Sequence, residues 1–296
     1  MLNCSLSGKT KSEGDSELSE MKPENIRNFQ KSSDSTRRMP VLFLGHGNPM
    51  NAVETNGFTD GWRESVADIP LPEAILCISA HWETNGTHVT AMAKPKTIHD
   101  FGGFPEELYQ VQYPASGNPG LAKIIQRMES GTTIGLDERW GLDHGCWSVL
   151  RHMYPEANVP VVQLSLNYHG SARFHYELGG TLSSLREKGI LIVGSGNIVH
   201  NLMRVAWDRF DEEFAYDWAL EANEKIRDFV LSGNHDPLIN YRSQGRAFDL
   251  AIPTPDHFLP LLYVLALKQK NDRITVFNDK PVAGSLTMTC FKIEHS

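Results

Sequence analysis

Val41-Leu42-Phe43-Leu44-Gly45-His46-Gly47-Asn48-Pro49 is a short, unbroken apolar run that ends on a histidine held between two glycines. Four large apolar residues in a row, opened by Met39-Pro40 and closed by a Gly/Asn/Pro turn, have the pattern of a strand buried on both faces. Such strands belong to parallel or mixed sheets covered by helices. The pattern recurs at Ala74 to Ser79, which runs into Ala80-His81-Trp82, at Val159 to Leu166, and at Ile190 to Val193, which runs into Gly194-Ser195-Gly196-Asn197 before His200. Helical periodicity falls between and beyond these runs, over Leu121 to Met128, His144 to Met153, Ser171 to Lys188, Trp207 to Leu231 and Leu259 to Lys268. The alternation predicts an α/β fold, a single domain with a largely parallel or mixed central sheet flanked by helices. Ligands of such sheets collect outside the carboxyl ends of the strands. His46, His81 and His200 all come just after strand ends of this kind.

Residues 1–38 are rich in Ser, Lys, Glu and Asn and nearly empty of large apolar side chains, so they read as a disordered extension. The folded domain is expected over residues 39–296. Of the 296 residues, 40% are hydrophobic and 22% charged, which suits a soluble globular chain with a sizeable core. A net charge of -8, with no concentrated Lys/Arg surface, argues against nucleic-acid binding. No apolar run reaches the roughly 20 residues needed to span a bilayer, and the N-terminus lacks a secretory apolar core. A cytoplasmic protein is expected. Cys4, Cys77, Cys146 and Cys290 form no CxxC pair, so reduced thiols are expected rather than a zinc finger or redox motif.

Four histidines at the ends of apolar stretches, His46, His81, His200 and His257, point to a metal site, because imidazoles from separated segments can be aimed by a rigid sheet at one point. Glycines on both sides of His46 let the backbone approach closely there. His257 stands in Pro253-Thr254-Pro255-Asp256-His257-Phe258-Leu259-Pro260, where prolines stiffen the approach to a helix that Asp256 can cap. His200 reads either as a further ligand or as an acid/base beside the metal. His144, in Leu142-Asp143-His144-Gly145-Cys146-Trp147, sits at a helix start with Asp143 as its cap and reads as a support behind the metal ligands or as a substrate contact. The loop Thr97 to Pro105, with His99, Asp100, two glycines and two phenylalanines, reads as a lid or as an ordinary surface loop. Trp82 either walls a pocket or packs. No Gly-x-Ser-x-Gly elbow is present, and Ser195 in Gly-Ser-Gly-Asn is a weak nucleophile candidate.

Taken in order, Gly-His-Gly-Asn-Pro, Ser-Ala-His-Trp, Thr-Ile-His-Asp-Phe-Gly-Gly-Phe-Pro, Leu-Asp-His-Gly-Cys-Trp, Gly-Ser-Gly-Asn-Ile-Val-His-Asn-Leu and Thr-Pro-Asp-His-Phe resemble the 4,5-DOPA extradiol dioxygenase family, a class III (LigB-like) group of ring-cleaving enzymes. The resemblance runs from about Met39 to the C-terminus. It implies one divalent metal ion per chain, iron(II) for catalysis with zinc possible in the same site, held by His46, His81 and His257 with His200 as a further contact. It implies His200 and His144 as catalytic residues, with His99, Trp82 and Asn48 toward the substrate. The implied substrates are a small aromatic diol and O2, and with DOPA the implied product is 4,5-seco-DOPA, a muconate semialdehyde. Many class III relatives carry a carboxylate where this chain has His257. Two other readings of a histidine-rich site are a zinc-dependent hydrolase and a non-catalytic metal-binding member of the fold.

Overall fold

In the computed structural model, which describes residues 38–210 and 212–296, ten strands are formed. They are β1 Val41–Gly45, β2 Ala74–Thr84, β3 Thr87–Thr90, β4 Ile134–Asp137, β5 Val161–Asn167, β6 Ile190–Gly196, β7 Asp272–Phe277, β8 Pro281–Val282, β9 Leu286–Thr287 and β10 Cys290–His295. Eight of them make one sheet in the order β4-β3-β5-β2-β6-β1-β10-β7, and β8 and β9 pair separately as a small hairpin. The central four, β5-β2-β6-β1, run parallel, while β10 and β7 add on antiparallel. This is the mixed sheet expected from the apolar runs.

The reason those runs are continuous rather than alternating is visible in their two faces. Val41 and Phe43 of β1 enter one core with Leu76, Ile78 and Ile192, whereas Leu42 and Leu44 enter the other with Ile75, Cys77 and Val193. Both cores are closed by helices. Helix Leu259–Ala266, packed on Ala172–Thr181, covers the first, and helix His144–Met153 covers the second. Truncating a residue such as Leu44, which has no exposed surface, costs about 2–5 kcal/mol through lost burial and the cavity left behind.

Register aligns the strand ends. Leu44 of β1 and Ser79 of β2 both pair with Ser195 of β6, so β1 and β6 end level with the point where β2 leaves β6 and runs on to Thr84. His46 and His81 stand on the shelf so formed.

The extension read over residues 1–38 lies outside the described residues except for Arg38. Its guanidinium pairs with Asp272 and Gln269. Asp272 also receives Arg186 Nη1 at 2.8 Å, and the fully buried Arg186 donates through Nε to the carbonyl of Met39 at 2.8 Å. The chain entering β1 is thereby tied to the loop before β7.

Several expected helices shift in extent. The helix expected from Leu121 to Met128 spans Pro119–Gln126, and Ser171 to Lys188 divides into Ala172–Thr181 and a 3-10 segment Leu182–Lys188. The helix expected over Trp207 to Leu231 begins only at Asp217. Upstream of it the backbone pairs with the β8–β9 hairpin instead, through Ala283 N to Glu212 O at 3.1 Å, Gly284 N to Phe214 O at 3.0 Å and Tyr216 N to Gly284 O at 2.8 Å. Groups bonded outward in this way cannot also form a helical ladder.

Candidate metal centre and its cavity

His46 leaves β1 as the first residue beyond the strand, and His81 lies in the part of β2 that continues past its pairing with β6. His257 comes from the loop between helices Arg246–Ala251 and Leu259–Ala266. Its main chain lies against Gly196, where an added Cβ would stand 2.1 Å from the His257 carbonyl oxygen. Only glycine permits that approach, which lets Asn197 N bond the same carbonyl at 2.9 Å. Gly47, at φ +61°, turns the chain immediately after His46.

Ring nitrogens of these three histidines converge. One nitrogen from each of His46, His81 and His257 lies within 4.8 Å of the others, and Nε2 of His46 stands 3.2 Å from Nε2 of His81. Two nitrogens bound about 2.0–2.1 Å from one tetrahedral ion stand about 3.3 Å apart, so the spacing fits a shared cation.

The other ring nitrogens are occupied. Ser195 Oγ donates to the Gly145 carbonyl at 2.5 Å, and so it accepts from His46 Nδ1 at 2.9 Å. His257 Nδ1 bonds Asp256 Oδ2, and His81 Nδ1 faces Asp100 Oδ2 at 3.4 Å. Each Nδ1 therefore carries the hydrogen, as assigned from this network, and each Nε2 keeps a lone pair. Lone pairs facing one another in a buried place repel unless a cation lies between them. Burial, then the neighbouring histidines His257, His144 and His200, push the His46 imidazole well below its ordinary pKa. Burial, then His144, does the same to His81. Both are thereby kept in the uncharged form a metal requires.

His144 opens the helix His144–Met153 with Asp143 as N-cap, the expected arrangement, through a bond from Cys146 N to Asp143 Oδ1 at 3.1 Å. Asp143 also receives Ser79 Oγ at 2.6 Å and Gln163 Nε2 at 2.6 Å, while burial, then the charge of Asp100, holds its carboxyl above the usual range. Asp100 grips His144 twice, at the backbone N–H (2.8 Å) and at Nδ1 (2.9 Å). His81 and His144 sit with ring centroids 3.9 Å apart.

His200, beyond β6, is stacked on His257 with centroids 3.6 Å apart and planes 8° from parallel. Among the described residues two sets of possible donors lie close together, His46 with His81 and His257, and His81 with Asp100 and His144; His200 is in neither and stacks on His257. Burial, then His257, holds His200 well below its ordinary pKa.

These side chains open into a cavity of about 640 Å³ lined by His46, Asn48, His81, His144, His200 and His257 and by Phe101, Phe104, Leu202, Trp207, Phe210 and Leu286. A drug-sized ligand occupies this order of volume. Of the expected substrate contacts, Asn48 lines the cavity, while Trp82 and His99 do not. Trp82 is buried and stacked on Trp140 at 5.8 Å. His99 bonds the Val111 carbonyl at 2.9 Å and packs against Trp147 and Phe101, so it holds the loop from behind. Asp256, expected to cap the following helix, makes no cap bond and holds His257 instead. Ser195 is buried with both its bonds committed, which leaves no nucleophile there. Asp100, Phe101 and Phe104 were visible as a loop motif with a lid as one of its two readings, but the hold of Asp100 on His144 was not. Trp207 and Phe210 carried no sequence signal for the cavity, and Leu202 stood only as the last residue of the motif that holds His200.

The chain matches the family described as the catalytic LigB subunit of aromatic ring-opening dioxygenase over residues 36–282. It is 45% identical to a 4,5-DOPA dioxygenase extradiol of Escherichia coli (strain K12), over 88% of this chain and 96% of that protein. It is 35% identical to a 4,5-DOPA dioxygenase extradiol of Beta vulgaris, over 85% and 95% of the two chains. The crystal structure of an uncharacterized protein of Escherichia coli K12 superposes with a TM-score of 0.75 at 41% identity, covering 86% of this chain and all (100%) of the other.

Proposed function

Because the chain belongs to the family of the catalytic LigB subunit of aromatic ring-opening dioxygenases and is an extradiol dioxygenase, we propose that it opens the ring of a small catechol such as DOPA, using O2 and one divalent ion held by His46, His81 and His257. The observation that carries this reading is the meeting of ring nitrogens from His46, His81 and His257 beside a cavity wide enough for an aromatic ring. The donor set, all imidazole, suits iron(II) for catalysis and accepts zinc as well. When bound, such an ion supplies a Lewis acid and an electron path between the diol and O2.

The protein's own groups do the rest. Asp100, Asp256 and Ser195 fix the tautomers of the three ligands, so that no lone pair has to be freed before the ion is held. His200 faces the cavity from its stack on His257, uncharged and able to take a proton from a catechol hydroxyl. His144, locked by Asp100 through Nδ1, presents its other nitrogen to the same space and holds an oxygen of the bound ring. Phe101 and Phe104, in edge contact at 5.5 Å, shield the reacting ring from water. With DOPA, cleavage beside the hydroxyls gives 4,5-seco-DOPA.

No helix among the described residues is long and apolar enough to cross a membrane. Cys77, Cys146 and Cys290 are free and buried, in keeping with a reducing cytoplasm.

Loading the purified chain anaerobically with iron(II), adding DOPA or another catechol and then admitting air tests the proposal. Oxygen uptake with a yellow product is expected. Absence of uptake with every catechol tried would remove it.

A further inference from the structure

We infer that Asn197, the first residue beyond β6, is a positioning residue that sets His46 and His257 at the spacing one ion requires. The inference rests on the reading of His46, His81 and His257 as the ligands of a metal. Asn197 is neither one of the close donors nor part of the cavity lining, so the chemistry above makes no use of it.

Three of its polar groups reach three different segments. The main-chain N–H donates to the His257 carbonyl at 2.9 Å. The side-chain Oδ1 accepts from the N–H of Gly47, the residue after His46, at 3.3 Å, and Nδ2 donates to the Thr287 carbonyl at 2.8 Å. A backbone N–H can only donate and a carbonyl can only accept, so the amide has a single orientation here. Gly196 adds a fourth tie, its carbonyl accepting from His46 N at 3.1 Å. The peptides on both sides of His46 are therefore held by residues 196 and 197, and the same two residues hold the main chain of His257. Asn51 also grips His46, through its carbonyl at 3.2 Å, but its other side-chain bond goes to Asn56.

The three ligands differ in how much they need such a tether. His81 stands within β2 and its N–H bonds Ser79 Oγ of the same strand at 3.2 Å, so its own strand places it. His46 follows the end of β1 and His257 lies in a loop between two helices, and the bonds of Asn197 join their segments. Its third bond extends the tie to the β8–β9 hairpin, since Thr287 follows Leu286 of the cavity wall and its N–H bonds the Val199 carbonyl at 3.2 Å, next to His200. Asn197 is 1% exposed, so water does not replace these bonds readily. Ligands have to be held within about 0.5 Å of their working geometry, a tolerance that a freed loop exceeds.

The test measures the zinc Kd of the full-length chain by competition with a chromophoric chelator, with urea midpoints taken alongside. Asn197→Leu, close in size but unable to bond Gly47 or Thr287 through its side chain, is expected to bind zinc about 10–100-fold more weakly. Should that variant not fold, Asn197→Ala removes the same bonds without added bulk and carries the same expectation. Asn197→Asp keeps an acceptor for Gly47 N and should recover most of the affinity. The control is Asn223→Leu, at another buried asparagine, bonded to Asp279 and Thr289 away from the site. It should keep the wild-type zinc Kd whatever its urea midpoint loses. An unchanged Kd in the Asn197 variants, an equal loss in Asn223→Leu, or no recovery in Asn197→Asp overturns the inference and leaves the metal reading standing. Failure of the wild type to bind zinc overturns both.

Discussion

Two sets of buried histidines in this chain differ in what their ring nitrogens face. His175, on helix Ala172–Thr181, has both nitrogens partnered, Nδ1 to the Tyr263 hydroxyl at 2.9 Å and Nε2 to the Asn167 carbonyl at 3.2 Å. His46, His81 and His257 have one nitrogen partnered and the other turned toward a second histidine. Burial, the largest cause in each case, disfavours the charged form of His175, His46 and His81 alike. A depressed pKa therefore does not distinguish a structural histidine from a ligand. The distinguishing feature is a lone pair that the protein has aimed and then left without a donor.

The largest effect expected from breaking this contrast is loss of the ion itself. His46→Ala or His81→Ala should reduce bound metal to background in elemental analysis and abolish ring opening, whereas His175→Gln should keep full metal occupancy. Next comes His200→Ala, which should keep the metal and lower kcat by about 10²–10⁴-fold, the usual worth of an acid/base group. Loss of metal in that variant would return His200 to the ligands.

A smaller effect is expected one bond further out. Asp100→Asn leaves the ligands in place but weakens the hold on His81 and His144, and losses of about 10–100-fold in metal affinity or turnover are typical of such supports. An unchanged affinity and rate would show that Asp100 serves only the loop.

The smallest effect on the site belongs to the structural histidine, which acts on stability alone. Burial first of all lowers the His175 pKa from 6.5 to about 4 in the folded chain. Above pH 6.5 it is neutral folded or unfolded and contributes no pH dependence. As pH falls from 6.5 to about 4, the unfolded chain takes up a proton that the native chain does not. Stability is lost across that window, by roughly 3 kcal/mol for this one group. Urea midpoints measured down the pH scale should fall more steeply in the wild type than in His175→Gln. Parallel slopes would contradict the assignment.

Much of the fold and site was legible in the sequence because buried parallel strands leave a mark that needs no tertiary knowledge. Val41 to Leu44, Ala74 to Ser79 and Ile190 to Val193 are buried on both faces, and His46 follows β1 directly while His81 lies where β2 has left β6. His46 and His81 were singled out as candidates that way, His144 from its Asp143 cap, and the α/β sheet from the alternation of the runs. The outer strands β3, β4 and β7 were not, since Thr87–Thr90, Ile134–Asp137 and Asp272–Phe277 are short or mixed in polarity and gain their structure from pairing.

Side-chain direction was the other thing hidden. Trp82 and His99 stand beside site residues in the chain yet spend their contacts on Trp140 and Val111, partners that only the fold supplies. Asp256 had two local options, capping a helix or holding the next residue's imidazole, and composition could not choose between them. Trp207 and Phe210 reach the cavity because the β8–β9 hairpin draws their segment out of the helix that its periodicity suggested.

Whether the imidazoles of His46, His81 and His257 hold a single ion can be read by X-ray absorption on the chain reconstituted with one equivalent of iron(II), alongside His257→Ala. Multiple scattering from three imidazole rings is expected in the wild type, reduced to two in the variant. A spectrum that His257→Ala leaves unaltered would show that the ion is not held by this set.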